Sequence, residues 1–453
     1  PRRGSVPPAM TTAALSKQYD PSDVEPRHLR AWLDAGYFHA DAASPKVPFA
    51  ITLPPPNVTG SLHMGHALGS TLQDILIRWR RMGSWNAMWM PGTDHASIAV
   101  HVLLEKDLKN REQKSRHDLG RDKFLERAWV WKERSGNRIV EQEKVMGFSL
   151  DWERDRFTMD EVSNKAVREA FVRLYDEGLI YRAKRMINWD PASQTVVSDL
   201  EVDRAEEKGH LWELRYPVVG SDQVIVVATT RPETMLGDTG VAVHPDDERY
   251  RALVGQEVEL PLTGRRIPIV ADTFVDPAFG SGAVKVTPAH DFNDYECGRR
   301  NNLAMINILN LDGTLNAEAG PFAGLDRFAA RKQVLADLEA QGLLVETKPH
   351  KLSLPVSQRS EAIIEPMLTD QWFLDLTRDE LPDGRPGGKR AITEPALAAV
   401  TEGHIQFVPE NWKTTYVQWL TNIQDWCVSR QLWWGHRIPA WYDEAGNIFV
   451  GDD

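Results

Sequence analysis

The sequence has little cysteine and lacks the signals that mark membrane or secreted proteins. Cys297 and Cys427 are the two cysteines among 453 residues. They lie far apart and outside any C-x-x-C spacing, which argues against a disulfide framework and a cysteine-rich zinc site. No run of about eighteen apolar residues and no charged-then-apolar leader occurs, so neither a membrane span nor a secretory signal is predicted. These absences favour a protein of the reducing cytoplasm.

Acidic residues outnumber basic ones, which gives a net charge of −12. This balance argues against a protein that coats nucleic acid along its whole surface. Local basic faces remain open in RWRRMG (78–83) and YRAKRMINW (181–189), although each is equally typical of a solvated helix end. A length of 453 residues exceeds one ordinary hydrophobic core, so we expect two or three domains.

The stretch VPFAITLPPPNVTGSLHMGHAL predicts a strand, a loop and a helix in succession. The apolar run Phe49–Leu53 is bounded by prolines and reads as a buried strand. A helical apolar face follows at Leu68, Leu72, Ile75, Leu76 and Trp79. The candidate N-caps before this helix are Asn57, Thr59 and Ser61.

The predicted helix opens with His63-Met64-Gly65-His66. Free N–H groups and the helix dipole attract anions there, and imidazole N–H groups can donate to phosphate oxygens. Gly65 leaves room for a flat ligand. The two histidines could instead ligate zinc, or could lie at the helix terminus without a binding role.

A second apolar strand, Ala87–Met90, ends before Asp94, which we expect beside the same site because ligands bind at the carboxyl ends of parallel strands. A surface turn is the alternative for Asp94.

Six stretches stand out along the chain, in this order: PPPNVTGSLHMGHAL, MPGTDHASIAV, NWDPASQTVVSDLEV, TTRPETMLGDTGVAVHP, KVTPAHDFNDYE and DWCVSRQLWWGHRIPAWY. Valyl-tRNA synthetases carry such stretches in the same order, and the chain resembles that family from about Tyr19 to Tyr442. The family belongs to the class I enzymes of the valine, isoleucine and leucine group. The resemblance implies an α/β, Rossmann-type catalytic domain that uses ATP with Mg²⁺, valine and tRNA(Val), in a protein expected to be a monomer.

The resemblance also implies roles for the first site. His63 and His66 would bind the ATP phosphates and stabilise charge as valine's carboxylate attacks the α-phosphate, while Gly65 admits the adenine. Pro55, Asn57 and Asp94 would line the valine pocket, with Asp94 pairing with the α-ammonium. Family members commonly read Gly-Ile-Ala-Thr after Asp-His-Ala, whereas this chain has Ser97-Ile98-Ala99-Val100.

Short β-rich runs between 206 and 352, separated by Pro and Gly turns, predict an inserted β-barrel-like domain. Its threonines could be ordinary strand formers and caps. Threonine is nearly isosteric with valine, however, and valyl enzymes are the standard example of a pocket that needs a second, hydrolytic site. The resemblance implies that Asp291 and Asp294 anchor the ammonium there. Water would be placed by Thr229, Thr230 and Thr287, and the tRNA end would be bound by Arg231 and Lys285.

The predicted domain order is a flexible lead-in at 1–18, the first half of the catalytic domain at 19–205, the editing insertion at 206–352 and a truncated return at 353–453. No Lys-Met-Ser-Lys-Ser loop occurs, no anticodon-binding region follows, and Met10 is a plausible start. Asp190 and Ser193 stand where many relatives carry zinc cysteines, so no structural zinc is expected. We therefore expect a fragment that cannot aminoacylate unaided.

Three functions fit these observations. The first is a valine–tRNA ligase with editing activity, favoured because His63, Gly65, His66 and Asp94 serve only synthesis. The second is a shortened relative that acts only as an aminoacyl-tRNA deacylase. The third is a non-catalytic binding protein in which the three prolines form a polyproline docking ligand.

Overall fold

The computed structural model describes residues 18–451, so the predicted lead-in lies outside the described residues except for its last position. The chain forms two compact units. Residues 18–165 with 433–436 make the first, and residues 166–432 with 437–451 make the second. Among the described residues, no helix has the length and apolar character needed to cross a membrane.

The first unit is mainly helical around one pair of strands. Its elements are α1 (Pro21–Asp34), β1 (Pro48–Thr52), α2 (Met64–Met82), β2 (Asn86–Met90), α3 (Ser97–Glu112), α4 (Arg116–Leu119) and α5 (Arg121–Val145). Helix α6 (Glu161–Asp176) then carries the chain into the second unit.

Strands β1 and β2 are parallel, with Pro48 paired to Asn86 and Thr52 to Met90. The two predicted strands are therefore confirmed within one residue, but β1 is not buried as predicted, because its five residues are exposed or only partly buried. Parallel neighbours require a crossover connection, and α2 provides it. The strands and α2 share a small apolar core that includes Leu53, Ile77 and Trp89.

Helix α2 forms as predicted, but its apolar stripe does not face a core. The five stripe residues Leu68, Leu72, Ile75, Leu76 and Trp79 are 45–66% exposed. Ile77 is instead the fully buried apolar residue of α2, since the strands lie on its side of the helix. Helical periodicity identifies an apolar face but does not identify the face that meets a core.

The basic stretch at 78–83 does not form a phosphate-binding face. Arg81 donates to the carbonyl oxygens of Phe38, at 3.1 Å, and Ser149, at 2.9 Å. Arg78 donates to Asp74 and to the Gly147 carbonyl. Burial lowers the pKa of Arg81 to about 10. These guanidinium groups hold the unit together internally, which is a correction to one sequence alternative.

The second unit is rich in strands. They are β3 (Ile180–Asp190), β4 (Thr195–Val197), β5 (Val202–Pro217), β6 (Val224–Thr229), β7 (Gly240–Val243), β8 (Glu257–Glu259), β9 (Arg266–Ala271), β10 (Ala283–Val286), β11 (Leu344–Ser357), β12 (Glu365–Leu374), β13 (Trp426–Cys427), β14 (Ala440–Tyr442) and β15 (Ile448–Val450). Its helices are α7 (Phe292–Arg300), α8 (Arg327–Ala340), α9 (Glu394–Thr401) and α10 (Trp412–Thr421).

The strands of the predicted insertion form open sheets. Strand order is β11-β5-β6 in one and β10-β7-β9-β8 in another, while β13-β12-β3-β4 lies outside the insertion. The β-rich runs LWELRYPV, QVIVVATT, GVAVHP, RRIPIVAD and GAVKVTPA overlap with β5, β6, β7, β9 and β10, so these runs form strands as predicted. Within the described residues these sheets do not close on themselves, so the β-barrel-like expectation is corrected to an open, mixed α/β arrangement. Only β7 and β9 pair in parallel there.

A long antiparallel ribbon joins the predicted insertion to the rest of the second unit. Strand β5 pairs with β11, and the predicted limits of the insertion fall opposite each other, with Glu206 beside Ser353 and Glu207 beside Leu352. The main core nevertheless runs across both limits, because Trp189 and Phe373 share one cluster with the insertion's apolar residues. The insertion as a separate domain stays a prediction.

Candidate functional site

The loop after β1 lies directly against the segment after β2. The Asp94 N–H donates to the Pro56 carbonyl at 2.9 Å, and the Val58 N–H donates to the Asp94 carbonyl at 3.0 Å. Asn57 and Asp94 therefore form a parallel bridge. Pro55 and Asn57 are exposed and Asp94 is about one-third exposed. The structure thus brings together the three residues that the sequence predicted for a valine pocket.

Helix α5 holds this loop from behind, a feature that sequence reasoning missed. The Trp131 indole N–H donates to the Val58 carbonyl at 2.7 Å, and the Leu62 N–H donates to Gln142 Oε1 at 2.9 Å. Both partners lie more than seventy residues from the loop in sequence, so no local pattern signals them.

His63 and His66 cap the start of α2 reciprocally. His63, rather than Asn57, Thr59 or Ser61, is the N-cap. Its Nδ1 accepts from the Gly65 N–H at 3.1 Å, while the His66 Nδ1 accepts from the His63 N–H at 3.2 Å. A neutral imidazole whose Nδ1 accepts must carry its proton on Nε2. Both rings therefore offer an Nε2–H donor at the positive end of a helix.

The two rings lie close together, with centroids 3.9 Å apart. Burial and the neighbouring His63 lower the pKa of His66, which favours its neutral form. A Cβ at position 65 would lie 3.0 Å from His63 Cε1, so Gly65 makes room for the capping ring. This is a different reason for glycine from the predicted space for adenine. Neutral N–H donors at a helix start suit the oxygens of a phosphate group.

Asp94 sits in a small polar network. Its Oδ1 accepts from the Thr158 hydroxyl at 2.9 Å and lies 3.3 Å from His95 Nδ1. Partial burial favours the protonated acid, but hydrogen bonds from His95 and Thr158 outweigh it and lower the pKa of Asp94. The carboxylate is therefore ionised at neutral pH and partly open to a cationic ligand.

The second predicted site lies in the second unit and divides into an open and a buried part. Thr230, Arg231 and Asp291 line a cleft of about 1990 Å³. The other four predicted residues, Thr229, Lys285, Thr287 and Asp294, are each at most 8% exposed. The seven residues are thus neighbours, but three of them face the cleft.

Lys285 is buried and its ammonium is used internally, which does not fit the predicted contact with a tRNA end. The ammonium donates to Thr234 Oγ1 at 2.9 Å, Asp238 Oδ1 at 3.1 Å and Thr287 Oγ1 at 2.5 Å. Asp238 also accepts from the Tyr216 hydroxyl at 2.7 Å. Sequence reasoning missed Asp238, which lies in the quoted motif TTRPETMLGDTG.

Arg231 is also engaged with protein groups. Its guanidinium donates to the His290 carbonyl at 2.8 Å and forms a short contact with Glu365. The side chain is 27% exposed and reaches the cleft. Arg231 retains access to solvent, but its charge is paired with Glu365, a contact that the sequence did not indicate.

Asp291 and Asp294 differ in environment. Asp291 is the N-cap of α7, and its Oδ1 accepts both the Asn293 N–H, at 2.8 Å, and the Asp294 N–H, at 3.1 Å. Asp294 is buried, and its Oδ2 accepts from the Thr287 N–H at 2.8 Å. Burial, with the nearby Asp291 charge, raises the pKa of Asp294 to about 7.

Asp190 and Ser193, at the positions where the resemblance would place zinc cysteines, belong to a hydrogen-bonded cluster. Asp190 is fully buried, and its Oδ1 accepts from the Ala192 and Ser193 N–H groups at 3.0 and 3.1 Å. Its Oδ2 accepts from the Ser193 and Ser360 hydroxyls at 2.9 and 2.7 Å. No group of three metal-binding side chains occurs among residues 18–451. The Asp190 carboxylate thus joins the segment at 190–193 to the segment that contains Ser360.

We expect folding to be independent of zinc and sensitive to Asp190. Asp190→Ala should lower the free energy of unfolding by about 2 to 3 kcal/mol, because several donors lose a buried acceptor. Urea titrations with and without a chelator measure both effects. Asp383→Ala, at an exposed turn carboxylate that accepts from the Arg385 N–H, is the matched control. Stoichiometric zinc, or unfolding by the chelator, would contradict this expectation.

Comparison with known proteins identifies the family of the chain. Residues 27–453 match the family described as tRNA synthetases class I (I, L, M and V). Proteins named valine–tRNA ligase are 55% identical in Laribacter hongkongensis, over 96% of this chain and 48% of the relative, and 58% identical in Gloeobacter violaceus, over 97% and 48%. The chain spans about half the length of the curated relatives it matches.

One solved structure, a ternary complex of Agrobacterium radiobacter K84 LeuRS with tRNA and LeuAMS, is similar with a TM-score of 0.37 and 19% identity. The match covers 83% of this chain and 53% of that one. The family match spans nearly the whole described sequence and more than half of its residues recur in the Laribacter and Gloeobacter relatives. This chain belongs to the class I tRNA synthetase family of the isoleucine, leucine, methionine and valine enzymes.

Proposed function

We propose that the first unit binds ATP and valine for the formation of valyl-adenylate, the first step of charging tRNA(Val). The observation that carries this proposal is the arrangement after β1 and β2. The His63–His66 pair presents neutral N–H donors at a helix start, and the ionised Asp94 lies against the loop that leads to them. One element suits phosphate oxygens and the other suits an ammonium group.

The roles divide by charge. His63 and His66 donate from Nε2 to phosphate oxygens, whose negative charge grows as the carboxylate of valine attacks the α-phosphate. Mg²⁺ would enter with ATP and would neutralise part of the phosphate charge. Asp94 pairs with the α-ammonium, while Pro55 and Asn57 line the same loop.

Binding measurements on the two ligands test this division. His66→Ala should weaken binding of ATP with Mg²⁺ roughly ten- to hundredfold, because a donor to a charged oxygen is worth about 1.5 to 3 kcal/mol. Binding of valine should stay unchanged. Calorimetric titration measures both, with His28→Ala on α1 as the exposed-histidine control. Equal loss of both ligands, or no loss of ATP, would refute the assignment.

We also propose that the second unit hydrolyses threonine mistakenly attached to tRNA(Val). A specific observation favours this second function: Thr230, Arg231 and Asp291 line one cleft, and Asp294 lies buried behind it with a raised pKa. Asp291 accepts its two backbone donors through Oδ1, which leaves Oδ2 for a substrate ammonium. An ammonium nearby would also favour ionisation of Asp294.

Hydrolysis of threonyl-tRNA(Val) by this chain tests the second function. Asp291→Asn and Asp294→Asn should each reduce the rate at least tenfold, because each removes a negative charge beside the ammonium. Asp326→Asn is the matched control, since Asp326 caps α8 through the Phe328 and Ala329 N–H groups as Asp291 caps α7. His66→Ala should leave hydrolysis unchanged. Loss of hydrolysis with His66→Ala but not with either aspartate change would place the reaction elsewhere.

A further inference from the structure

Ser97, at the position where the resemblance would place glycine, begins α3 and bonds to a segment distant in sequence. Its hydroxyl donates to the Trp434 carbonyl at 3.2 Å, across 337 residues. Residues 433–436 belong to the first unit, although the chain on either side of them belongs to the second. Gly435 eases the approach, because a Cβ there would lie 3.3 Å from the Ser97 hydroxyl oxygen. The serine thus ties the start of α3 to the segment at 433–436.

Trp434 returns a second hydrogen bond to the same turn. Its indole N–H donates to the His95 carbonyl at 2.7 Å. Trp434 is fully buried, and its ring meets that of Trp129 edge to face with centroids 5.1 Å apart, so the indole is held firmly by packing. We refer to the two hydrogen bonds, one to His95 and one from Ser97, as the Trp434 clasp.

Ala96, between the two ends of the clasp, has a left-handed backbone conformation with φ 54° and ψ 20°. This conformation is unfavourable for a residue that carries a Cβ, and it persists where surrounding contacts hold it in place. The clasp provides such contacts on both sides of Ala96. Loss of one of them would allow the turn to relax toward an ordinary conformation.

The clasp bears on Asp94 through the peptide group between His95 and Ala96. A trans peptide is planar, and its C=O and N–H point in opposite directions. The indole holds the C=O of this peptide, and the N–H of Ala96 therefore faces the other way. A carboxylate that accepts from the N–H two residues later closes an Asx turn, and Asp94 stands two residues before Ala96.

The electrostatics of Asp94 agree with this turn. Burial favours the protonated acid, but hydrogen bonds from His95, from Thr158 and from the Ala96 N–H lower the pKa of Asp94. The Asp94 backbone is bonded separately to the loop at 55–58. Rotation of the peptide between His95 and Ala96 would therefore remove a donor from the carboxylate while the Asp94 backbone stays in place.

We propose that Ser97 is a positioning residue for the ammonium of the substrate: by anchoring Trp434 it fixes the peptide between His95 and Ala96, and the N–H of that peptide orients the Asp94 carboxylate. This inference rests on the proposed function of Asp94. Ser97 acts through Trp434 rather than by contact with substrate. Without the hydroxyl, the turn at Ala96 loosens and the carboxylate spends less time in the orientation that an ammonium meets.

Calorimetric titration of Ser97→Ala with valine and with 3-methylbutanoate, which lacks the amino group, tests the inference. Valine should bind about fivefold more weakly, as for the loss of one neutral hydrogen bond, whereas 3-methylbutanoate should bind as it does to the unmodified chain. A merely structural role would not single out the ligand with the ammonium. Ser281→Ala is the matched control, since the Ser281 hydroxyl donates to the Ala283 carbonyl at the same 3.2 Å in the second unit. It should change neither affinity.

A spectroscopic signature reports the peptide without any ligand. In chain labelled with ¹⁵N-alanine, the Ala96 amide signal is assigned by its disappearance in Ala96→Gly. In Ser97→Ala we expect this amide proton to move upfield and to exchange faster with solvent, because its hydrogen bond to the carboxylate is weakened. Ser281→Ala should leave the signal unchanged.

Two combined variants test the route from Ser97 to Asp94. In an Asp94→Asn chain, Ser97→Ala should cost little further valine affinity, because the carboxylate that it positions is gone. In a Ser97→Ala chain, Ala96→Gly should recover part of the lost affinity, because glycine adopts a positive φ without the steric penalty. If Ser97→Ala fails to fold, Ser97→Gly allows the same comparisons.

The outcomes separate this inference from the function on which it rests. If Asp94→Asn weakens valine binding but Ser97→Ala does not, or if Ser97→Ala weakens valine and 3-methylbutanoate equally, the inference is overturned and the valine site stands. An unchanged Ala96 amide signal in Ser97→Ala would also overturn it. If Asp94→Asn leaves valine affinity unchanged while Ser97→Ala still shifts the Ala96 signal, the valine site is wrong but Ser97 does orient the peptide beside Asp94.

Discussion

Replacing Asp94 by asparagine is expected to weaken valine binding roughly hundredfold, which corresponds to about 2 to 3 kcal/mol for a charge-assisted contact. Asparagine keeps the shape of the side chain and can still accept from the Thr158 hydroxyl, so the fold should be retained. What disappears is the negative charge, which is about one-third exposed beside the loop at 55–58. An ammonium placed there would lose its counter-charge.

Calorimetric titration with valine and with 3-methylbutanoate, which lacks the amino group, measures the effect. Valine should lose affinity, whereas 3-methylbutanoate should bind Asp94→Asn no more weakly than the unmodified chain. Asp118→Asn supplies the control, since Asp118 is an exposed carboxylate in the capping box of α4. Unchanged affinity for valine would show that Asp94 does not hold the ammonium.

Replacing Lys285 by methionine is expected to lower the free energy of unfolding by about 3 to 5 kcal/mol, because it leaves the fully buried carboxylate of Asp238 without its cation. Methionine fills a similar volume, so the loss would come from charge rather than from a cavity. Asp238 would keep the Thr287 and Tyr216 hydroxyls as donors, and these compensate only in part. Asp238→Asn combined with Lys285→Met should recover part of the stability.

Chemical denaturation measures this loss, and Lys348→Met is the matched control. Lys348 is half-exposed and pairs with Glu213 on the β5–β11 ribbon, where an ion pair is worth about 0 to 1 kcal/mol. A loss no larger in Lys285→Met than in Lys348→Met would contradict the account.

The deficit of Lys285→Met should shrink as the pH falls. Burial already raises the pKa of Asp238 above its usual value, and loss of Lys285 would raise it further. A carboxyl whose pKa is higher in the folded than in the unfolded protein gains folded-state stability on protonation. The difference from the unmodified chain should therefore be smaller at pH 5 than at pH 8.

Local sequence signals located the elements of the first site well. The proline-bounded run before residue 54 and the run before residue 91 became β1 and β2, because apolar runs this short between turn residues have the length of a strand and are too short for a typical helix. The helix after His63 also followed from its apolar spacing. The exposure of the apolar stripe on α2 did not follow from the sequence. Whether Leu72 and Ile75 face a core depends on what packs on each side of α2.

The chemistry of the sites depended on partners distant in sequence. Lys285 and Asp291 were both expected to contact substrate, yet the fold buries Lys285 against Asp238 and leaves Asp291 at a cleft. Thr158 meets Asp94 across 64 residues, and Ser360 meets Asp190 across 170. The sequence by itself determined where most strands and helices form and which residues were candidates for chemistry. Burial, tautomer and available charge were decided only by the tertiary structure, because each depends on atoms supplied by other segments of the chain.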